Sequence, residues 1–249
     1  MATEKRLVAK SKLVAIADAL RSQTGETGDI KLDAMPAKIA ALSMATEEWR
    51  ECWLEKPRTA SNALYIDTGV MADINHKLIY RCSSSASQMS TPFNSCSASG
   101  PRYGVNFLPN SNKLQLYWGG YSNTNITIDR GTLDVVQDML ITQSRSGISI
   151  AGYTAAGTAT TWEQSYTANA GSGSIENYKL FTYARNNQIH YGLFRRAEIQ
   201  NLSGETICTI TPEINNHFVA RLKIEQSGVI TYVPVPAGFI CHLDNEAAA

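Results

Sequence analysis

The sequence predicts a mainly β protein, in which a short α-helical N-terminal segment precedes one antiparallel β-sandwich. Apolar residues recur at helical spacing before about residue 55 and alternate with period two after it. Roughly a dozen short β-rich runs follow residue 61, separated by turn signals such as Gly119-Gly120 and Ser146-Gly147. No long helical pattern lies between these runs, which disfavours a parallel α/β sheet.

The N-terminal segment contains two short helical patterns. Apolar residues at spacings of three and four predict a helix over about residues 4 to 22, and Asp33 is placed to cap a second helix. A helical hairpin of this size is marginal in water by itself. We therefore predict a docking or oligomerisation segment, with packing on its own sandwich as the alternative. The residues expected to make these contacts are Leu13, Ile16, Leu20, Met35 and Ile39.

Composition divides the chain further and identifies two loop candidates. Residues 83–100 and 152–173 are rich in Ser, Thr, Ala and Gly, so they are predicted to be long exposed loops. The predicted segments are 1–45 for helical attachment, 46–60 as a linker, 61–235 as the β-sandwich binding domain and 236–249 as a C-terminal tail.

Charge and hydropathy exclude several classes of partner. Lys plus Arg and Asp plus Glu each number 22, and no basic run occurs, so we predict no nucleic-acid partner. No stretch approaches the roughly 18 apolar residues of a membrane span. Lys10 and Lys12 interrupt the apolar residues of the N-terminus, which therefore lacks a signal-peptide pattern. We predict no membrane partner and synthesis in the cytosol.

Five cysteines are present, an odd number, and no CxxC pair occurs, which disfavours a zinc site and a complete disulfide framework. Buried or indifferent free thiols are the main prediction, and a Cys82–Cys96 bridge is left open.

Motifs for catalysis are absent from the sequence. It contains no E-x-D-x-E or E-x-D-x-x-E carboxylate run for glycoside hydrolysis, no histidine ligand pair, no GxSxG motif and no phosphate-binding loop. We predict no catalytic residue, no metal ligand and no cofactor. Calcium is the one alternative left open, because Asp67, Asp73 and Asn75 cluster near the first turn of the sandwich.

The best ligand-binding candidates are the aromatics Tyr117, Trp118 and Tyr121 in the run LYWGGY. Sugar rings stack on aromatic faces, and a Gly-Gly turn allows close approach of a ligand. Neighbouring strand residues point to opposite faces, so only one of Tyr117 and Trp118 can belong to the core. The alternative is that these aromatics serve packing alone. Trp162 and Tyr166 form a second candidate pair.

Two resemblances bear on function. The segment KLVAIADALRSQTGETGDIKLDAMPAKIAAL (residues 12–42) resembles an N-terminal module of tail and other structural proteins from phages and prophages of Gram-positive bacteria. The runs ALYIDTGV, NYKLFTYARNN and FRRAEIQNLSGETICTITP resemble the concanavalin/laminin-G-like jelly roll.

These resemblances imply a non-enzymatic virion protein, a phage tail or appendage fibre or adhesin, made in the host cytoplasm. Its expected partners are other virion proteins, further copies of itself in a trimer, and a host-surface glycan. The threefold symmetry comes from the resemblance alone. The alternatives are a head fibre or capsid decoration protein and a glycan-degrading enzyme on the same fold.

Overall fold

The chain divides into two compact units, Met1–Glu48 and Trp49–Ala249. In the first unit, the described residues are too few to establish a helix. The second predicted helix and most of the first lie outside the described part of the chain, as do the predicted docking residues Leu13, Ile16, Leu20, Met35 and Ile39. The computed structural model describes residues 17–18, 21, 48–57, 60, 64–85, 90–96, 100–108, 113–127, 136–153, 159–181 and 191–243.

The described part of the second unit is built from seventeen strands. They are β1 (Trp49–Glu51), β2 (Trp53–Lys56), β3 (Ile66–Met71), β4 (Lys77–Ser85), β5 (Phe93–Cys96), β6 (Arg102–Phe107), β7 (Lys113–Gly119), β8 (Tyr121–Thr127), β9 (Val136–Ser144), β10 (Gly147–Tyr153), β11 (Ala159–Ser165), β12 (Asn177–Leu180), β13 (Gly192–Gln200), β14 (Thr206–Asn215), β15 (Ala220–Gln226), β16 (Val229–Pro234) and β17 (Ile240–His242).

These strands form two antiparallel sheets, as predicted for a sandwich. One sheet has eleven strands and follows the order β11-β10-β9-β4-β13-β14-β15-β16, with β1 beside β14, β2 beside β13 and β17 beside β2. The other has six strands in the order β3-β12-β5-β6-β7-β8. The chain passes from one sheet to the other between β2 and β3, β3 and β4, β4 and β5, β8 and β9, β11 and β12, and β12 and β13.

Aromatic side chains join the two sheets in the core. Phe93 of β5 stacks on Tyr178 of β12 at 5.2 Å between ring centroids, and both belong to the six-stranded sheet. Phe93 also meets Tyr80 at 5.6 Å and Phe194 at 5.8 Å, which belong to the eleven-stranded sheet. All four rings are buried. The alternation that predicted strands is clear in β3, where Ile66 and its alternate neighbours are buried and the intervening residues are exposed.

The predicted linker 46–60 and tail 236–249 need correction, because both contribute strands to the larger sheet. Strand β1 pairs with β14, and β2 pairs with β13. Strand β17, inside the predicted tail, pairs with β2. Cys52 and Leu54 are fully buried. Sequence periodicity did not register these strands because they are short and their partners are remote along the chain.

The two predicted exposed loops also contain strands. Residues 83–85 continue β4, β5 follows within the first of them, and β11 lies within the second. Several small polar residues are buried there, and Thr91 Oγ1, for example, donates a hydrogen bond to Asn106 Oδ1 at 2.9 Å. Composition alone could not separate such residues from a solvent-exposed loop.

Cys82 is buried in β4 of the larger sheet and is not part of a disulfide, whereas Cys96 lies in β5 of the smaller sheet. The Cys82–Cys96 bridge left open by the sequence is therefore not formed in this structure. Within the part of the chain that is described, no helix has the length and apolar character needed to cross a membrane.

Candidate functional site

A cavity of about 790 Å³ opens at one end of the six-stranded sheet, where β6 begins and β7 turns into β8. We call it the β7–β8 cavity. It brings together two of the three predicted aromatics, Tyr117 and Tyr121. Its lining consists of Gly100, Pro101, Arg102, Tyr117, Gly119, Gly120, Tyr121, Ser122, Asn169, Ala170, Gly171 and Ser172.

Trp118, the third predicted aromatic, packs in the core instead. Its side chain is fully buried, and its indole ring meets Tyr103 edge to face at 5.3 Å. The indole Nε1–H donates to the carbonyl oxygen of Ile74 at 3.1 Å. Strand alternation then places the neighbouring Tyr117 on the opposite face of β7, where the cavity lies. The structure thus assigns the core position of this pair to Trp118.

A chain of hydrogen bonds fixes the ring of Tyr117. Its hydroxyl donates to Gln115 Oε1 at 3.2 Å, and the same oxygen accepts from Asn106 Nδ2 at 2.9 Å. Asn106 is in turn held by Thr91. The guanidinium carbon of Arg102 lies 5.4 Å from the centroid of the Tyr117 ring, within the range of a cation–π interaction. Tyr117 therefore enters the cavity wall as a rigid group.

Tyr121 is held by a second aromatic contact. Its ring stacks on that of Tyr166 with 4.5 Å between centroids and 8° between planes. The Tyr166 hydroxyl donates to the carbonyl oxygen of Ser144 at 2.6 Å, and burial raises the pKa of that hydroxyl. Tyr166 is thus the support on which Tyr121 rests. Trp162, the other member of the second candidate pair, lies on β11 and packs partly against the core.

The sequence predicts close approach of a ligand at the Gly119-Gly120 turn, and in the structure another segment of the chain itself approaches this turn closely. The backbone N–H of Gly120 donates to the carbonyl oxygen of Asn169 at 3.0 Å, and Asn169 Oδ1 accepts from the N–H of Gly171 at 3.1 Å. A Cβ atom on Gly119 or Gly120 would collide with Asn169, and one on Gly100 would collide with the carbonyl of Ser174. These glycines therefore allow the segment 169–174 to lie flat against the sheet and to form the far wall of the cavity.

Hydrogen-bonding and aromatic groups of several kinds line the cavity. They include the Arg102 guanidinium, two tyrosine rings, the Ser122 hydroxyl and the Asn169 side-chain amide. The described lining contains no Asp, Glu or His side chain. Such a surface can stack a flat apolar face of a ligand and hydrogen-bond its polar rim.

The residues of the calcium alternative make local contacts instead. Asp67 Oδ1 accepts hydrogen bonds from the backbone N–H of Gly69 at 2.8 Å and from Asn177 Nδ2 at 2.9 Å. Asp73 Oδ1 accepts from the N–H of Asn75 at 2.7 Å, which closes a turn. Among the described residues, no group of three or more His, Cys, Asp or Glu side chains is arranged to hold a metal ion.

Sequence reasoning missed Arg102 and Asn169. Arg102 reaches the cavity because β6 pairs with β7 so that Gly104 lies opposite Tyr117 and Arg102 opposite Gly119. Asn169 arrives from a segment about 50 residues further along the chain. Only the strand register and the path of the segment 169–174 place these side chains beside LYWGGY.

No protein-family model matches this chain, and no curated protein matches it. A functional argument therefore depends on the residues of the cavity and on the sequence resemblances.

Proposed function

We propose that this chain is a non-enzymatic virion structural protein of a phage tail or appendage, whose β-sandwich binds a host-surface glycan in the β7–β8 cavity. The observation that carries the binding role is the fixed Tyr117 ring beneath the Arg102 guanidinium, with Tyr121 across the same cavity. The binding role is thus proposed from the side chains of the cavity, and the virion location is proposed from the sequence.

The chemistry of the cavity suits a sugar. The C–H face of a pyranose ring packs on tyrosine, while its hydroxyl groups exchange hydrogen bonds with side chains such as Arg102, Ser122 and Asn169. The volume of about 790 Å³ lies within the range of small-molecule sites and gives room for a short oligosaccharide. Since hydrogen bonds already hold the Tyr117 ring, little ordering of this residue is needed on binding.

The virion location rests on the resemblance of residues 12–42 to the phage attachment module. The jelly-roll relationship is part of the proposal as well. It is supported by the repeated passage of the chain between the sheets and by the placement of β12 between β3 and β5, strands remote from it in sequence. A position on the head, as a fibre or decoration protein, is the alternative within the same class.

Binding a glycan and hydrolysing a glycan require different side chains in the cavity. Glycoside hydrolysis requires two carboxyl groups that flank the scissile bond. The described lining instead offers a guanidinium, hydroxyls, an amide and aromatic rings. We therefore favour retention of the glycan over its cleavage, and the glycan-degrading enzyme is the alternative that a hydrolysis assay addresses.

The experiment is a binding assay of the full chain on an array of bacterial cell-wall glycans. We expect at least one glycan to be retained, and retention to fall at least tenfold in Arg102→Ala and in Tyr121→Ala. Arg50→Ala is the matched control, because Arg50 is an exposed arginine on β1 of the other sheet. Binding that survives both cavity changes in folded protein would contradict the proposed site.

The retained glycan is then incubated with the full chain while reducing ends are measured. No release above the buffer control is expected. Sustained release that a single Asp or Glu substitution abolishes would favour the enzyme alternative.

A further inference from the structure

Two cysteines lie near each other where strand β17, the last strand of the described sandwich, pairs with strand β2 near its start. Strand β17 runs antiparallel to β2 with Cys241 opposite Leu54. Cys52 precedes Leu54 by two residues, so its side chain projects on the same face of the strand and lies diagonal to Cys241. Each thiol shifts the pKa of the other, as expected of side chains that lie close together, and neither thiol is part of a disulfide in this structure. The strand pairing therefore places the two thiols on one face as diagonal neighbours.

The two thiols differ in reactivity. Cys52 is fully buried, and its pKa is raised, first by the hydrogen bond with Cys241 and then by burial. Cys241 is partly exposed, and the same hydrogen bond lowers its pKa. Cys241 is thus the thiol that a soluble oxidant reaches first and the one that ionises more readily.

From this geometry we propose that Cys52 and Cys241 form a disulfide site, which closes when the protein meets an oxidising medium and ties strand β17 to the start of the sandwich. The inference is independent of glycan binding, because neither cysteine belongs to the lining of the β7–β8 cavity.

The oxidant required is a low-molecular-weight disulfide such as oxidised glutathione. The Cys241 thiolate attacks one sulfur of this disulfide, which forms a mixed disulfide and releases one thiol. Cys52, after loss of its proton, attacks Cys241 Sγ and releases the second thiol. Two protein thiols are thereby oxidised by two electrons, and one small disulfide is reduced to two thiols that carry the two protons.

The bond would alter how the C-terminal strand is held. Strand β17 has only three residues and pairs with β2, where His242 Nε2 contacts Glu55 Oε2 at 2.5 Å. A disulfide between residues 52 and 241 closes a loop that spans almost the whole second unit. Closing so long a loop restricts the unfolded chain, so the oxidised protein is expected to unfold at a higher temperature than the reduced one.

The test treats the full chain with oxidised glutathione, or with dithiothreitol as the reduced reference, and then alkylates and digests it with trypsin. We expect the oxidised sample to yield residues 51–58 linked to residues 224–249, with a mass about 2 Da below the sum of the two thiol peptides. The melting temperature of the oxidised protein should exceed that of the reduced protein by several degrees. Both effects should vanish in Cys241→Ser.

Cys208→Ser is the matched control, because Cys208 is a buried free thiol of the same sheet, and burial raises its pKa to about 11. The linked peptides should persist in this variant. Alkylation of both cysteines after oxidation of the wild-type chain, a glutathione adduct that stays on Cys241, or a link between two chains would each overturn the proposal. The linked peptides are measured on the wild-type chain, so this part of the test does not depend on the folding of any variant.

Discussion

The ammonium group of Lys56 lies 2.5 Å from the carbonyl oxygen of Leu64, inside the protein rather than at its surface. A second carbonyl oxygen, that of Phe181, lies 3.4 Å from the same nitrogen. Burial lowers the pKa of Lys56 to about 8 from its ordinary value of 10.5. The folded protein therefore loses the proton from this lysine at a lower pH than the unfolded chain does.

This shift predicts that stability depends on pH in the alkaline range. Between about pH 8 and 10.5 the unfolded chain binds one more proton at Lys56 than the folded protein does, so the free energy of unfolding should gain a positive contribution as the pH rises. Below about pH 8, where both states are protonated, the cost of burying the charge is fully present. Urea unfolding at about pH 7 and about pH 9.5 measures the change. Lys56→Met should lose this contribution, and an identical pH dependence in both proteins would contradict the assignment.

The close packing of the segment 169–174 predicts that alanine substitutions at two glycines will destabilise the protein to different extents. Gly119 and Gly228 both have positive φ, 59° and 79°, but only a Cβ on Gly119 would collide with a neighbour, the carbonyl of Asn169. Gly119→Ala should destabilise the protein by about 2–4 kcal/mol, whereas Gly228→Ala should cost about 1 kcal/mol from backbone strain alone. Thermal unfolding of the two variants provides the comparison. Equal costs would mean that the close packing of Asn169 is not required.

Substitutions at Tyr117 and Trp118 should have different effects on glycan binding and on stability. Trp118→Phe removes a fully buried indole and its hydrogen bond to Ile74, which should cost about 2–4 kcal/mol of stability. Tyr117→Phe removes one hydroxyl bonded to Gln115 and should cost about 1 kcal/mol. Glycan retention should nevertheless fall in Tyr117→Phe and persist in folded Trp118→Phe. The reverse pattern would place the ligand elsewhere.

The N-terminal segment predicts an effect on assembly. The full chain should sediment as an oligomer, with a trimer expected, and deletion of residues 1–45 should leave a monomer. Leu13→Asp and Ile16→Asp should have the same effect, because both lie on the predicted apolar stripe. Ser11→Asp, on the opposite face of the predicted helix, is the control. A monomeric full chain would contradict the oligomerisation role.

Local sequence patterns predicted the class of fold but not the residues at which the sandwich begins and ends. Alternation in runs such as Ile66–Met71 predicted strands because one face of each strand meets the core. Strands β1, β2 and β17 were missed because remote partners stabilise them. Their pairing cannot be read from a short window of sequence.

The sequence likewise predicted some residues of the candidate site but not others. LYWGGY located Tyr117 and Tyr121, and alternation required only one core residue between Tyr117 and Trp118. Arg102 and Asn169 became visible only when the strand register and the path of the segment 169–174 were known. The close approach at Gly119-Gly120 was expected for a ligand but is made by Asn169, because glycine accommodates the protein's own backbone equally well.

Hydrogen exchange of the full chain with and without the glycan retained best on the array tests the central claim most directly. We expect slower exchange of backbone amides in residues 117–122 and 169–172, the two segments that face each other across the β7–β8 cavity. Exchange in the hairpin of β15 and β16, which belongs to the other sheet, should stay unchanged. Saturable glycan binding with unaltered exchange in both cavity segments would contradict the proposed site.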